Sequence, residues 1–150
     1  VLSVVSGIES QRKKLEEKLL SVCKNHPKKV VLIQGKIEEN QTQKNIGNIT
    51  VYNYLLSKEL EIEINQSALI ICRSGYSSIM DLATLKKNVF FIPTKHQTEQ
   101  EYLAKYLEKM RLAAFSEEKN FSLESLKRVN NYNGLSAQKT TLKKELLRLF

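Results

Sequence analysis

The chain has 150 residues, 41% of them hydrophobic, which is enough for one domain with a buried core and too apolar for a disordered segment. No apolar run approaches the roughly 20 residues of a membrane span, and no signal-peptide pattern is present. The formal net charge of +8 points to an anionic partner. That partner is a nucleic acid, a phosphate-bearing ligand or an anionic membrane surface, set against a plain solvated lysine-rich surface.

The sequence opens at Val1 inside an apolar run and without an initiator Met, which reads as a piece cut from a longer protein. Residues 1–5 form a first strand and residues 6–10 a turn. Leu15, Leu19, Val22 and Cys23 then fall on one face of a helix. Asn25, His26 and Pro27 break it. Residues 30–33 are a second strand, ended by Gln34 and Gly35. Residues 38–48 are polar and irregular, a surface loop and the clearest linker candidate. Residues 49–54 are a third strand. Over residues 55–66 strand and helix spacings compete. A helix is favoured, with Ser57 as its cap, because a buried strand follows and needs a crossover before it.

That strand, residues 68–72, is a continuous apolar run ending abruptly at Arg73, Ser74 and Gly75. Ile79, Leu82 and Ala83 continue at helical spacing. Residues 89–92 form the next strand, stopping at Pro93 and opening into Lys95, His96 and Gln97. A helix over residues 99–110 places Leu103, Tyr106, Leu107 and Met110 on one face. Residues 113–116 read as a short edge strand. Ser122 starts a helix, residues 130–134 turn, and Leu142, Leu146 and Leu149 line a last helix. Strands and helices alternate, so the fold class is α/β. It is a Rossmann-like three-layer α/β/α sandwich of about five parallel strands with helices on both faces. In such sheets ligands bind at the carboxyl ends of the strands.

The turns there carry the candidate chemistry. Gly75 lets a ligand approach the backbone, and Ser77 or Ser78 caps the helix whose positive end suits a phosphate; an ordinary capped turn looks the same. Asp81, one turn further on, can hold ribose hydroxyls or simply face solvent. His96, Gln97 and Gln100 offer donors and acceptors to phosphate or sugar, or are unremarkable surface groups. Ser6 and Gly7 repeat the Ser-Gly pattern at the first strand, with Arg12 just beyond as a phosphate partner or a solvated cation. No G-x-G-x-x-G, P-loop or G-x-S-x-G elbow occurs. Cys23 and Cys72 sit in apolar surroundings, as reduced thiols of a cytoplasmic protein do. No Cys/His cluster supports a metal site. The chain has no Trp and its Phe and Tyr residues are scattered, which disfavours an RNA-binding sheet.

Taken together, Cys72-Arg73-Ser74-Gly75, Asp81 six residues past the glycine, Phe91-Ile92-Pro93, His96 and Gln100 resemble the C-terminal domain of GT-B glycosyltransferases, specifically family 28 and its MurG-like members. The likeness runs from the Ser6-Gly7 turn to about Met110. It implies a domain that binds a UDP-sugar donor, with an N-terminal acceptor domain absent from this sequence. By that resemblance Arg73, Ser74, Gly75, Ser77 and Ser78 surround the diphosphate. Asp81 stands where the family has Glu on the ribose. Gln100 matches the first of two family glutamines on the donor sugar, and Glu101 replaces the second. His96 lies near sugar and phosphate, Leu55 and Leu56 near the uracil, and Ser6, Gly7 and Arg12 at a glycine-rich turn facing the phosphates. The resemblance implies a hexosyl or N-acetylhexosaminyl transfer in cell-envelope polysaccharide synthesis. The enzyme would be cytoplasmic or peripheral on the inner membrane face, with no cofactor and no nucleic-acid partner. Two other readings stay open: a sugar-nucleotide epimerase or non-catalytic nucleotide-binding module of the same fold, and a basic nucleic-acid-binding domain.

Overall fold

The computed structural model describes residues 1–135. The elements in chain order are β1 (Leu2–Val4), α1 (Glu9–Cys23), β2 (Val30–Ile33), β3 (Gln43–Ile46), β4 (Ile49–Tyr52), α2 (Ser57–Gln66), β5 (Ile70–Cys72), α3 (Tyr76–Thr84), β6 (Val89–Phe91), α4 (Thr98–Lys109), β7 (Ala114–Phe115) and α5 (Leu123–Lys127). They build one seven-stranded sheet in the order β3-β4-β2-β1-β5-β6-β7. All neighbours pair in parallel except β3 and β4. With the β3 edge set aside, the six parallel strands run third, second, first, fourth, fifth, sixth in space. This is the order of dinucleotide-binding doubly wound sheets. The parallel core is as expected, with more strands than the expected five.

The apolar runs are strands because both faces of the sheet are covered. Alternate residues feed two cores. Leu2, Val31, Ile33, Ile70, Cys72, Val89 and Phe91 pack with Ile79, Leu82 and Ala83 of α3 and Leu103 and Leu107 of α4, and Leu60 and Ile64 of α2 lie against this layer. Val5, Leu32, Val51, Ile71, Phe90 and Ile92 pack on the other side with Leu15, Leu19 and Cys23 of α1 and Leu126 of α5. Helices α2, α3 and α4 thus cover one face, and α1 and α5 the other.

Four expectations are corrected. Residues 38–48 are not all loop: β3 pairs antiparallel with β4. Every residue of β3 is exposed, so its sequence carries no apolar alternation. The turn is the two-residue Gly47-Asn48 pair, with Gly47 at φ +60°. The Asn48 side chain donates to the Cys23, His26 and Lys28 carbonyls, which fixes the hairpin to the loop after α1. Ser57 is not the cap of α2; Leu56 holds that position, and its amide donates to the Glu59 carboxylate at 2.9 Å. Neither Ser77 nor Ser78 caps α3, which begins after Gly75 with no side-chain cap. Met110 ends α4 at 38% exposure rather than on its buried face. The helix expected to start at Ser122 is present as α5, and Ser122 and Ser125 bond each other's amides at its start. The expected helix through Leu142, Leu146 and Leu149 lies outside the described residues.

Both cysteines are buried and unpaired. Burial pushes the Cys23 thiol up to about 11 and the Cys72 thiol up to about 12. A thiol whose folded pKa lies above its unfolded value stays protonated in the fold after the unfolded chain has lost the proton. Stability is therefore retained at neutral pH and falls as pH climbs past about 9 toward 12. In the native chain at pH near neutral, a thiol-alkylating reagent is expected to label neither cysteine, and both should label in denaturant. Rapid native labelling of Cys72 would contradict the buried placement.

Candidate functional site

Strand order locates the crevice. From β1 the chain leaves through α1 to β2 on one side, and from β5 it leaves through α3 to β6 on the other. α1 packs on one face of the sheet and α3 on the opposite face. Because β1 and β5 are hydrogen-bonded neighbours, the two helices diverge from adjacent strand ends. The gap between their N-termini is the switch point where ligands of such sheets bind. The Ser6-Gly7 turn and the Ser74-Gly75 turn, flagged independently in the sequence, stand side by side there.

Both helix starts are open. The residues before α1 and α3, Ile8 and Gly75, make no side-chain cap. The first-turn amides of Ser10 and Gln11 in α1, and of Ser77 and Ser78 in α3, have no acceptor within their own helices. They and the positive dipole ends favour an anion above them. The two ends are unequal. α1 carries Glu9 in its first turn, whereas α3 has no acidic residue there. A phosphate is therefore better placed over α3. Gly75 has φ −74°, and a Cβ added to it would meet no atom within 4 Å. The backbone does not need glycine there, but open space lies in front of it. Ser77 and Ser78 precede Asp81 by four and three residues, so all three share one helical face, and all three are exposed. Ile79, Leu82 and Ala83 turn to the core.

The loop after β6 is the next neighbour along the same edge. His96 is exposed at φ +67°, and its amide donates to Glu101 Oε1 at 2.9 Å. Gln100 is engaged at both ends of its amide. Its Oε1 accepts from the Thr94 amide at 2.9 Å, and its Nε2 donates to Gln97 Oε1 at 2.7 Å. Ser74 is fully buried and its hydroxyl donates to the Gln100 carbonyl at 2.7 Å, so it joins the β5 turn to α4. On the other side, Arg12 Nη1 donates to the Gly35 carbonyl at 3.1 Å, joining α1 to the end of β2.

The chain matches the profile of the glycosyltransferase family 28 C-terminal domain over residues 1–145. It belongs to that family. It is similar to the UDP-N-acetylglucosamine--N-acetylmuramyl-(pentapeptide) pyrophosphoryl-undecaprenol N-acetylglucosamine transferase of Sulfurihydrogenibium sp., at 31% identity over 128 residues. That match covers 83% of this chain and 36% of the relative. The Haemophilus ducreyi protein of the same name is 30% identical over 84 residues, covering 55% of this chain and 23% of its own length. The chain thus spans about a third or less of the curated relatives it matches. Among solved structures, the glycosyltransferase SnogD from Streptomyces nogalater superposes with a TM-score of 0.62 over 99% of this chain and 36% of its own, at 17% identity. The solution structure of ALG13 gives a TM-score of 0.67 over 97% of this chain and 92% of its own, at 12% identity. These last two likenesses are ones of fold alone, and the fold they share with this chain is Rossmann-like.

Two features of this family 28 domain lie away from, or beneath, the expected ligand contacts. Arg73 is only 4% exposed, and its guanidinium is used inside the protein, on the Ile92, Pro93 and Gln11 carbonyls and the Glu118 carboxylate. Burial pulls its pKa down, and the hydrogen bond and charge of Glu118 push it back. A cavity of about 440 Å³ lies between the β3–β4 hairpin and α2, with Leu55 in its wall and Leu56 exposed at its side of the molecule. β4 is separated from β1 by β2, so this cavity is not over the switch point. Its lining holds Glu59 and Glu63 and no lysine or arginine, which repels a diphosphate. No pattern in the sequence singles out Glu118, and none gives Gly35 a role beyond ending β2. Gly35 sits at φ +65°, where an added Cβ would lie 2.5 Å from the Val5 carbonyl oxygen, so the ends of β1 and β2 close on each other there. The Gln34-Gly35 stop in the sequence was its only signal.

Proposed function

We propose that the crevice above β1 and β5 binds the diphosphate of a UDP-sugar, and that this chain is the donor-binding half of a glycosyltransferase. The carrying observation is the meeting of two uncapped helix N-termini at one switch point. Asp81 shares the exposed face of α3 with Ser77 and Ser78, and there it takes the ribose hydroxyls. His96, Gln97 and Gln100 bound the sugar side. Leu55 and Leu56 stand toward the base, while Ser6 and Gly7 in the turn before α1, and Arg12 within it, face the phosphates. The names of the curated relatives, N-acetylglucosamine transferases named with UDP-N-acetylglucosamine, support a hexosyl or N-acetylhexosaminyl donor.

Negative charge grows on the diphosphate as the glycosidic bond breaks. Fixed amides and helix dipoles stabilise it without having to reorganise. The acceptor site and the general base belong to an N-terminal domain preceding this sequence, so the isolated chain transfers nothing. The parent enzyme works in the cytoplasm. Its net charge of +8 here draws it toward an anionic inner membrane face. No helix among the described residues is long and apolar enough to cross a membrane.

A thermal-shift series with UDP, ADP and a mixed-sequence oligonucleotide tests the reading. UDP at one hundred times its dissociation constant adds about 2.7 kcal/mol of stability. UDP is expected to stabilise the chain more than ADP does, and the oligonucleotide not at all. Stabilisation by the oligonucleotide alone, lost on adding salt, would instead favour the nucleic-acid reading.

A further inference from the structure

The end of β5 grips both helical layers at once. Arg73 and Ser74 are consecutive, so their side chains leave on opposite faces of the sheet. Ser74 reaches the Gln100 carbonyl in the first turn of α4 at 2.7 Å. Arg73 reaches the other way. Its Nη1 donates to the Ile92 carbonyl at 3.0 Å and the Pro93 carbonyl at 3.3 Å, where β6 ends. Its Nη2 donates to the Gln11 carbonyl in the first turn of α1 at 3.4 Å and to Glu118 Oε2 at 3.0 Å. One planar group therefore ties the starts of both crevice helices to the strand ends, since α3 begins two residues after Ser74.

We propose, resting on the UDP-sugar reading above, that Arg73 is a positioning residue. Its buried guanidinium, balanced by Glu118, holds the N-terminus of α1 in register with that of α3 so that both address one diphosphate. Three observations favour this over a purely stabilising role. An ion pair between a buried guanidinium and a half-buried carboxylate is usually no more stabilising than apolar residues of the same volume, so stability alone does not call for Arg and Glu here. Arg73 Nε is buried without a partner, a cost that an arrangement chosen only for stability would avoid. The acceptors, apart from Glu118, are backbone carbonyls of the segments that frame the crevice. A lysine has one ammonium and cannot span carbonyls on two elements in this fork geometry.

The test compares UDP and uridine affinities, by calorimetric and NMR titration, in the unaltered chain, in Arg73→Lys and in the double variant Arg73→Met, Glu118→Leu. Uridine reports the base and ribose contacts, and UDP adds the phosphates. The double variant keeps the volume apolar and is expected to melt close to the unaltered chain. Both variants are expected to lose UDP affinity by on the order of tenfold or more, because misplacing one of two converging groups by an ångström is costly. Their uridine affinity should be unchanged. If a folded variant keeps full UDP affinity, or loses UDP and uridine affinity equally, the positioning role is overturned. If the unaltered chain binds neither ligand, the UDP-sugar reading beneath it falls instead.

Discussion

Gly75→Val is expected to remove most UDP binding while leaving the fold intact. Gly75 sits in extended backbone at φ −74° and ψ 147°, which valine adopts readily. An added Cβ meets no protein atom within 4 Å. Valine is a poorer residue to precede a helix than glycine, but it also restricts the unfolded chain. The net change in stability should stay within about 1 kcal/mol. The branched side chain then occupies the space in front of the α3 amides. UDP affinity should fall by on the order of a hundredfold, about 2.7 kcal/mol, measured by titration calorimetry beside a melting curve. A variant that melts normally and binds UDP as before would move the diphosphate away from this turn.

Phe90→Ala carries the largest expected loss of stability. Phe90 is fully buried in β6 and packs against Phe121, with ring centroids 5.6 Å apart and planes tilted by 52°. It joins the central strands to the layer formed by α1 and α5. Truncation to alanine leaves a cavity that the surrounding strands cannot close, at a cost of about 3–5 kcal/mol. Set against a total stability of about 5–15 kcal/mol, that is a large share. Urea unfolding should show a lower midpoint with an unchanged slope. A loss under about 1 kcal/mol would mean that the core relaxes far more than close packing allows.

The residues differ in how openly the sequence displays them, for physical reasons. β2 and β5 are visible as apolar runs because both their faces are covered. The helix spacing over residues 57–66 is visible because Leu60 and Ile64 must reach the same core. β3 leaves no such trace, since all its residues face solvent and only the Gly47-Asn48 turn betrays it. At the site, the Ser-Gly turns and Asp81 stood out as residue types suited to a nucleotide. That β1 and β5 are neighbours is a matter of strand order, which no local pattern encodes. Arg73 illustrates the opposite difficulty. A cation beside a glycine turn looks like a phosphate ligand, and only its bonds to Ile92, Pro93, Gln11 and Glu118, residues distant in sequence, show it turned inward.

The most direct measurement is an amide-by-amide NMR titration of the isotope-labelled chain with UDP. The largest shifts are expected on Gly7, Ser10, Gly75, Ser77 and Ser78, with Asp81 close behind. Shifts centred instead on Gln41, Thr42 and Glu63 in the hairpin cavity, with Gly75 and Ser77 unmoved, would contradict the proposed diphosphate site.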